Sequence, residues 1–157
     1  MINHTESSSF VRYFGSIIHK SGKYNFKKLH RFAKNHLKKT FKLEELPFLF
    51  HEISSADFKR EHLGLVCLRS LLNKGNSSLV QKVMDAHLIP KLISFLERDN
   101  SPELQINSAW VLTKLASKGT YEQIISVIDF GKILESMVRL LNTNNSNVLI
   151  AVNFLIL

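Results

Sequence analysis

Val83-Met84-Asp85-Ala86-His87-Leu88-Ile89 and Val127-Ile128-Asp129-Phe130-Gly131-Lys132-Ile133 lie 44 residues apart, with apolar positions aligned and an Asp in the same slot. Working outward at the same offset, Leu71 falls on Leu115 and Leu104 on Val148. Leu92, Ile93 and Leu96 fall near Met137, Val138 and Leu140. Each of these segments has apolar residues at helical spacing. Polar breaks separate them at Asn73–Ser78, Asp99–Ser101, Ser117–Thr120 and Asn142–Ser146. Six Gly and three Pro in 157 residues suit long helices better than a turn-rich all-β fold.

The breaks carry helix-start chemistry. Ser78-x-x-Gln81 and Thr120-x-x-Gln123 fit capping boxes, in which hydroxyl and amide satisfy two orphan backbone N–H groups. Ser101-Pro102 fits an N-cap followed by Pro at the first helical position. One unit therefore reads as a long helix, a break, a short helix and a medium helix leading into the next unit. A period of 40–47 residues with two or three helices is that of the armadillo and HEAT solenoids. The expected fold is all-α: a right-handed α-solenoid of armadillo repeats, about 54–100, 101–145 and a partial 146–157. The sequence ends within the apolar run Val148–Leu157, and about three stacked units are usually needed to bury such faces. The array accordingly reads as truncated, the other reading being that a partner covers that face.

Charge divides the chain differently. Residues 1–50 carry ten Lys/Arg against three acids, whereas residues 51–157 carry eleven against ten. This gives a basic N-terminal arm, 1–42, on a near-neutral body, 43–157. Between Lys20 and Lys42 stand nine basic residues and no acid, while Phe26, Leu29, Ala33, Leu37 and Phe41 trace one helical face. Such a basic amphipathic segment suits an anionic membrane, nucleic acid, calmodulin or an acidic protein groove. It equally suits a surface helix that docks its apolar stripe and leaves its lysines in water. Aromatic–basic interleaving of the kind that stacks bases is missing, so nucleic acid is not the expected partner. The longest apolar run, ten residues, is too short to span a bilayer, and no membrane role is expected.

Catalytic motifs do not emerge. His51-Glu52-Ile53-Ser54-Ser55 begins like a zincin helix but has Ser55 where the second His belongs. His30 and His36 are six apart, off the spacing that shares a helix face. There is no GxxxxGK[ST], GxSxG or GxGxxG. Cys67, the single cysteine, sits in Leu65-Val66-Cys67-Leu68 and reads as a buried, inert thiol. No enzyme activity, metal or cofactor is expected.

Ala86-His87-Leu88-Ile89-Pro90-Lys91, Ser94-Phe95-Leu96, Ser101-Pro102, and Gln105 with Ser108-Ala109-Trp110-Val111-Leu112-Thr113 resemble the first armadillo repeats of the importin-α family. So do Leu115-Ala116-Ser117, Gly119-Thr120-Tyr121-Glu122-Gln123 and, upstream, Glu45-Leu46-Pro47 and Leu68-Arg69-Ser70-Leu71-Leu72. The likeness runs over roughly residues 43–157.

The resemblance implies an adaptor, present in cytoplasm and nucleus, that carries proteins with basic nuclear-localisation signals into the nucleus without catalysis. In that family Trp residues on each repeat's last helix hold the stems of cargo Lys/Arg, and an Asn one turn later pins the cargo backbone. Trp110 stands at the first array Trp, with Lys114 in the place of the Asn. Ser117 and Gly119 match loop positions near the groove, Asn73 and Lys74 match the groove end of the first repeat, and Phe154 takes the next Trp position. The family also has an N-terminal basic segment that binds importin-β as a helix. Lys27, Lys28, Arg31, Lys38 and Lys39 correspond to it, implying an importin-β-like carrier as second partner. The alternative is an armadillo scaffold that has lost cargo binding and whose arm engages an acidic partner or membrane.

Overall fold

The computed structural model describes residues 8–20, 25–74, 77–128 and 132–156. The described residues form ten α-helices and no strand: α1 Ser9–His19, α2 Phe26–Thr40, α3 Leu46–Ile53, α4 Phe58–Asn73, α5 Ser77–Asp85, α6 Ile89–Leu96, α7 Pro102–Lys118, α8 Tyr121–Ile128, α9 Lys132–Leu141 and α10 Ser146–Ile156. A 3-10 turn, Leu43–Glu45, leads into α3.

Local chemistry sets most boundaries. Asp57 accepts from the Arg60 N–H at the start of α4, and Asn25 from the Lys28 N–H at the start of α2. Pro stands in the first turn of α3, α6 and α7, where its missing N–H costs nothing. The Thr120–Gln123 capping box forms in both directions, at 2.8 and 3.3 Å. Ser101 is the residue before α7 as expected, but its hydroxyl turns to Asn100 and makes no cap. The Ser78–Gln81 pair does not stand at the helix start that a Ser78 cap would give. Helix α5 already begins at Ser77, so Ser78 lies inside its first turn, and the Gln81 amide donates to Asp85 instead.

The long helices α2, α4, α7 and α10 pack side by side in chain order, each against the next. Helices α3, α6 and α9 lie behind α4, α7 and α10 respectively, giving two layers of an α-solenoid. A small residue recurs where the layers meet. Gly64 of α4 abuts Ile53 of α3 so closely that a Cβ would stand 2.7 Å from the Ile53 Cγ1. Its 44-residue counterpart, Ser108 of α7, sends its hydroxyl 2.5 Å to the Leu92 carbonyl of α6. Bulk at either position would force the layers apart, the overpacking that costs about 1–3 kcal/mol. Between α5 and α6 the chain turns through His87 at φ 52°, a left-handed conformation; the same register places Gly131 in the second repeat.

Polar links tie successive units together. The Glu61 carboxylate of α4 is fully buried and pairs with Lys91 of α6 at 2.8 Å and Arg98 at 2.6 Å. The Leu96 carbonyl accepts from Gln105 and from Arg139 of α9. Gln123 of α8 donates to Gln81 of α5 at 2.5 Å.

Helices α1 and α2, within the basic region, pack on this body. Leu29, Phe32, Ala33 and Leu37 of α2 are buried, with α2 lying against α4. Phe10 and Phe14 of α1 are buried and meet Phe48 of α3 edge to face at 6.2 and 5.4 Å. Helix α4 is thus flanked by α2, α3 and α7, which is why nine of its residues are buried on nearly every side.

Candidate peptide-binding face

Ser108 points at α6, and Trp110, two residues on, is rotated about 200° around α7. The indole therefore lies on the face turned away from the second layer, half-buried against the core cluster. Arg69 reaches across from α4 and places its guanidinium carbon 4.8 Å from the Trp110 ring centroid. An Arg over an indole is held by the negative face of the ring. The same guanidinium donates to Asn107 Oδ1 at 3.3 Å. Asn107 donates to the Glu103 carbonyl at 2.8 Å, and its Nδ2 lies 3.3 Å from His62 Nε2.

His62 is almost wholly enclosed, stacked on Phe58 and met edge-on by Phe26. Burial, and secondarily the neighbouring His30, push its pKa down to about 4. It is neutral near pH 7 and accepts the Asn107 amide proton in its Nδ1–H tautomer. Arg69's own pKa is lowered by desolvation, and His30's by burial and the Arg69 charge.

Around this centre the expected residues divide. Lys114 follows Trp110 by one turn on the same face and is half-buried. Ser117 is exposed, its hydroxyl donating to the Lys114 carbonyl at 3.2 Å. Gly119 closes α7, its N–H donating to the Leu115 carbonyl at 2.8 Å. A Cβ there would sit 2.8 Å from that carbonyl oxygen, so the tight stop favours glycine. Asn73 and Lys74 are exposed at the end of α4 and share a recess of about 410 Å³ with Arg69, Ser70 and, from α2, His30 and Lys34. Phe154 belongs to α10, but its side chain lies outside the described residues.

Lys27, Lys28 and Arg31 are exposed on α2. Lys28 and Arg31 flank a shallow pocket where Tyr13 stacks on Phe32 and His36 at 4.6 and 4.2 Å. The side chains of Lys38 and Lys39 lie outside the described residues. Among the described residues no group of three His, Cys, Asp or Glu could hold a metal, and no helix is long and apolar enough to cross a membrane. Burial raises the Cys67 thiol pKa far above neutrality, leaving it inert.

Arg69, Asn107 and His62 were not among the residues expected here. Their signal is one of register: 62 and 69 share a face of α4, and 103, 107 and 110 share a face of α7.

Residues 76–117 match the family model for the armadillo/beta-catenin-like repeat. The chain is 34% identical over 107 residues to importin subunit alpha-1a of Oryza sativa subsp. japonica, covering 68% of this chain and 20% of that protein. Importin subunit alpha-B of Dictyostelium discoideum is 36% identical over 107 residues, with the same coverage of each chain. The chain thus spans about a fifth of the length of these curated relatives. Among solved structures, a computationally designed armadillo repeat protein superposes with a TM-score of 0.67 at 23% identity, over 82% of this chain and 54% of its own. A designed armadillo repeat protein in complex with peptide (KR)4 gives 0.68 at 21% identity, over 91% and 61%.

Proposed function

Because the chain is an importin-α-like armadillo-repeat protein, we propose that it is a non-catalytic nuclear import adaptor that lays a basic nuclear-localisation segment along α4 and α7. The observation that carries this reading is the guanidinium of Arg69 over Trp110. The indole holds a cation in the way a cargo Lys or Arg would be held, an attraction of about 0.5–2 kcal/mol per contact. Cargo binding is then an exchange in which an incoming side chain takes the place of Arg69 or stacks beside it. Asn73 offers an exposed amide for the cargo backbone. Lys114, one turn from the indole, opposes a basic guest and lowers its affinity.

The carrier binds elsewhere in this scheme. Leu29, Ala33 and Leu37 are committed to the core, so an importin-β-like partner meets the outer face of α2 through Lys27, Lys28 and Arg31, with Lys38 and Lys39. Shuttling between cytoplasm and nucleus follows from the two partners together.

Calorimetric titration with a basic nuclear-localisation peptide tests the cargo half. Trp110→Ala should weaken binding about 10-fold and Lys114→Asn should tighten it; if neither changes the affinity, the face is wrongly assigned. Pull-down with an importin-β, on wild type and on a Lys27→Gln, Lys28→Gln, Arg31→Gln triple variant, tests the carrier half. The second reading, an armadillo scaffold for other proteins, is favoured by the cations Arg69 and Lys114 beside the indole. Its mark is a chain that binds neither basic peptide nor importin-β.

A further inference from the structure

The recess between α2 and α4 is lined by His30, Lys34, Arg69, Ser70, Asn73 and Lys74, without a carboxylate. Arg69 is half-desolvated, and its partners are the neutral Asn107 amide and the Trp110 ring. Neither Arg69 nor Lys34 has an ion-pair partner among the described residues. A carboxylate placed there would meet a planar donor fork on Arg69 and a point charge on Lys34. The Ser70 hydroxyl and the Asn73 amide line the same space. The Leu71 and Leu72 carbonyls, which could repel an anion at this helix end, already accept from the Lys74 N–H. The field in the recess is positive enough that the Arg69 charge contributes to lowering the His30 pKa.

We propose that this recess is an anion subsite that takes the side-chain carboxylate of an acidic residue on a bound protein segment. Arg69 belongs to the recess and to the indole shelf at once, so the two subsites adjoin. Resting on the peptide-binding reading above, the preferred guest has a basic residue for Trp110 and a Glu or Asp beyond it at the α2 end. The carboxylate draws the guanidinium into the recess and thereby clears the indole for the guest's cation. The face then selects segments of mixed charge over purely basic ones.

Calorimetry on the full chain tests this with a Lys/Arg hexapeptide, the same peptide carrying Glu-Glu at one end or the other, and Gln-Gln controls. One Glu-Glu peptide should bind about 10-fold more tightly than its Gln-Gln control, and Lys34→Gln should reduce that gap to about 3-fold or less. Arg69→Gln should do the same, while Lys34→Gln, on an exposed residue, guards against misfolding. Lys132→Gln, an equal loss of charge on distant α9, should leave the gap intact; if it narrows the gap as much as Lys34→Gln, the effect is one of net charge and the subsite is refuted. Equal affinity of the Glu-Glu and Gln-Gln peptides overturns the inference while leaving the basic-peptide reading standing. Failure of the hexapeptide alone, with a Glu-rich peptide still binding in a Lys34-dependent way, overturns the basic-peptide reading and keeps the subsite. Full displacement of the Glu-Glu peptide by millimolar free glutamate would assign the recess to a small anion and overturn its assignment to a protein segment.

Discussion

Arg69 and Trp110, 41 residues apart in sequence, meet across α4 and α7 with the guanidinium carbon 4.8 Å from the ring centroid. Trp110 is the only tryptophan, so tryptophan fluorescence reports on this ring and its surroundings. Arg69→Ala should change the emission maximum and intensity of the folded protein. It should also lower stability by about 1 kcal/mol, from the lost cation–π contact and the bond to Asn107. Unchanged emission would mean that the guanidinium does not rest on the ring in solution.

His62 makes stability depend on pH. Its folded-state pKa is about 4, below the 6.5 of an open chain, so the unfolded state binds its proton first. The contribution is intact above pH 6.5 and declines as the pH falls from there toward 4, by at most about 3 kcal/mol. His30, shifted the same way, adds to the loss. Urea unfolding at pH 7 and pH 5 should show the drop, and His62→Gln should flatten it. A wild-type midpoint equal at both pH values would contradict the burial of a neutral imidazole.

Glu61 is the anionic centre of a buried inter-helix link. Glu61→Gln keeps the shape and removes the charge that Lys91 and Arg98 pair with. The two cations are partly exposed and recover some hydration, so the expected cost is about 2–3 kcal/mol rather than the full penalty of an isolated buried charge. Denaturant unfolding reads it directly, and a cost under about 0.5 kcal/mol would show that the link is not formed.

His87 turns at φ 52° with its side chain exposed, a conformation in which an L side chain is strained. Replacing it by the residue its repeat register suggests, His87→Gly, should raise the thermal midpoint, corresponding to about 0.5–1 kcal/mol. A lower midpoint would show that the imidazole makes a stabilising contact.

Much of this architecture is written locally. Leu71 and Leu115, or Asp85 and Asp129, declare the period, and Pro102 and the Thr120–Gln123 box mark helix starts within one or two residues. The stripe Leu29–Ala33–Leu37 was legible as an apolar face, but not its docking partner α4, because a helical pattern names no receptor. Helix α1 escaped notice because only the structure shows that Phe10 and Phe14, which meet each other within α1, also pack on Phe48 of α3. At the site, Trp110 and Lys114 could be picked out from the family likeness. The Arg69–Asn107–His62 chain could not, since its members meet only after two repeats stack. Ser78 fits the capping pattern, yet α5 begins at Ser77, two residues before the start that a Ser78 cap would give, because a hydroxyl and an amide three apart satisfy the pattern wherever the helix starts.

The central claim is that the Trp110 indole forms a shelf open to a guest's cation on the face away from α6. Acrylamide quenching of Trp110 with and without saturating basic nuclear-localisation peptide tests it most directly. The account predicts measurable quenching in the free chain and at least a two-fold fall in the quenching constant once the peptide is bound. A quenching constant unaltered by peptide that calorimetry shows to be bound would contradict it.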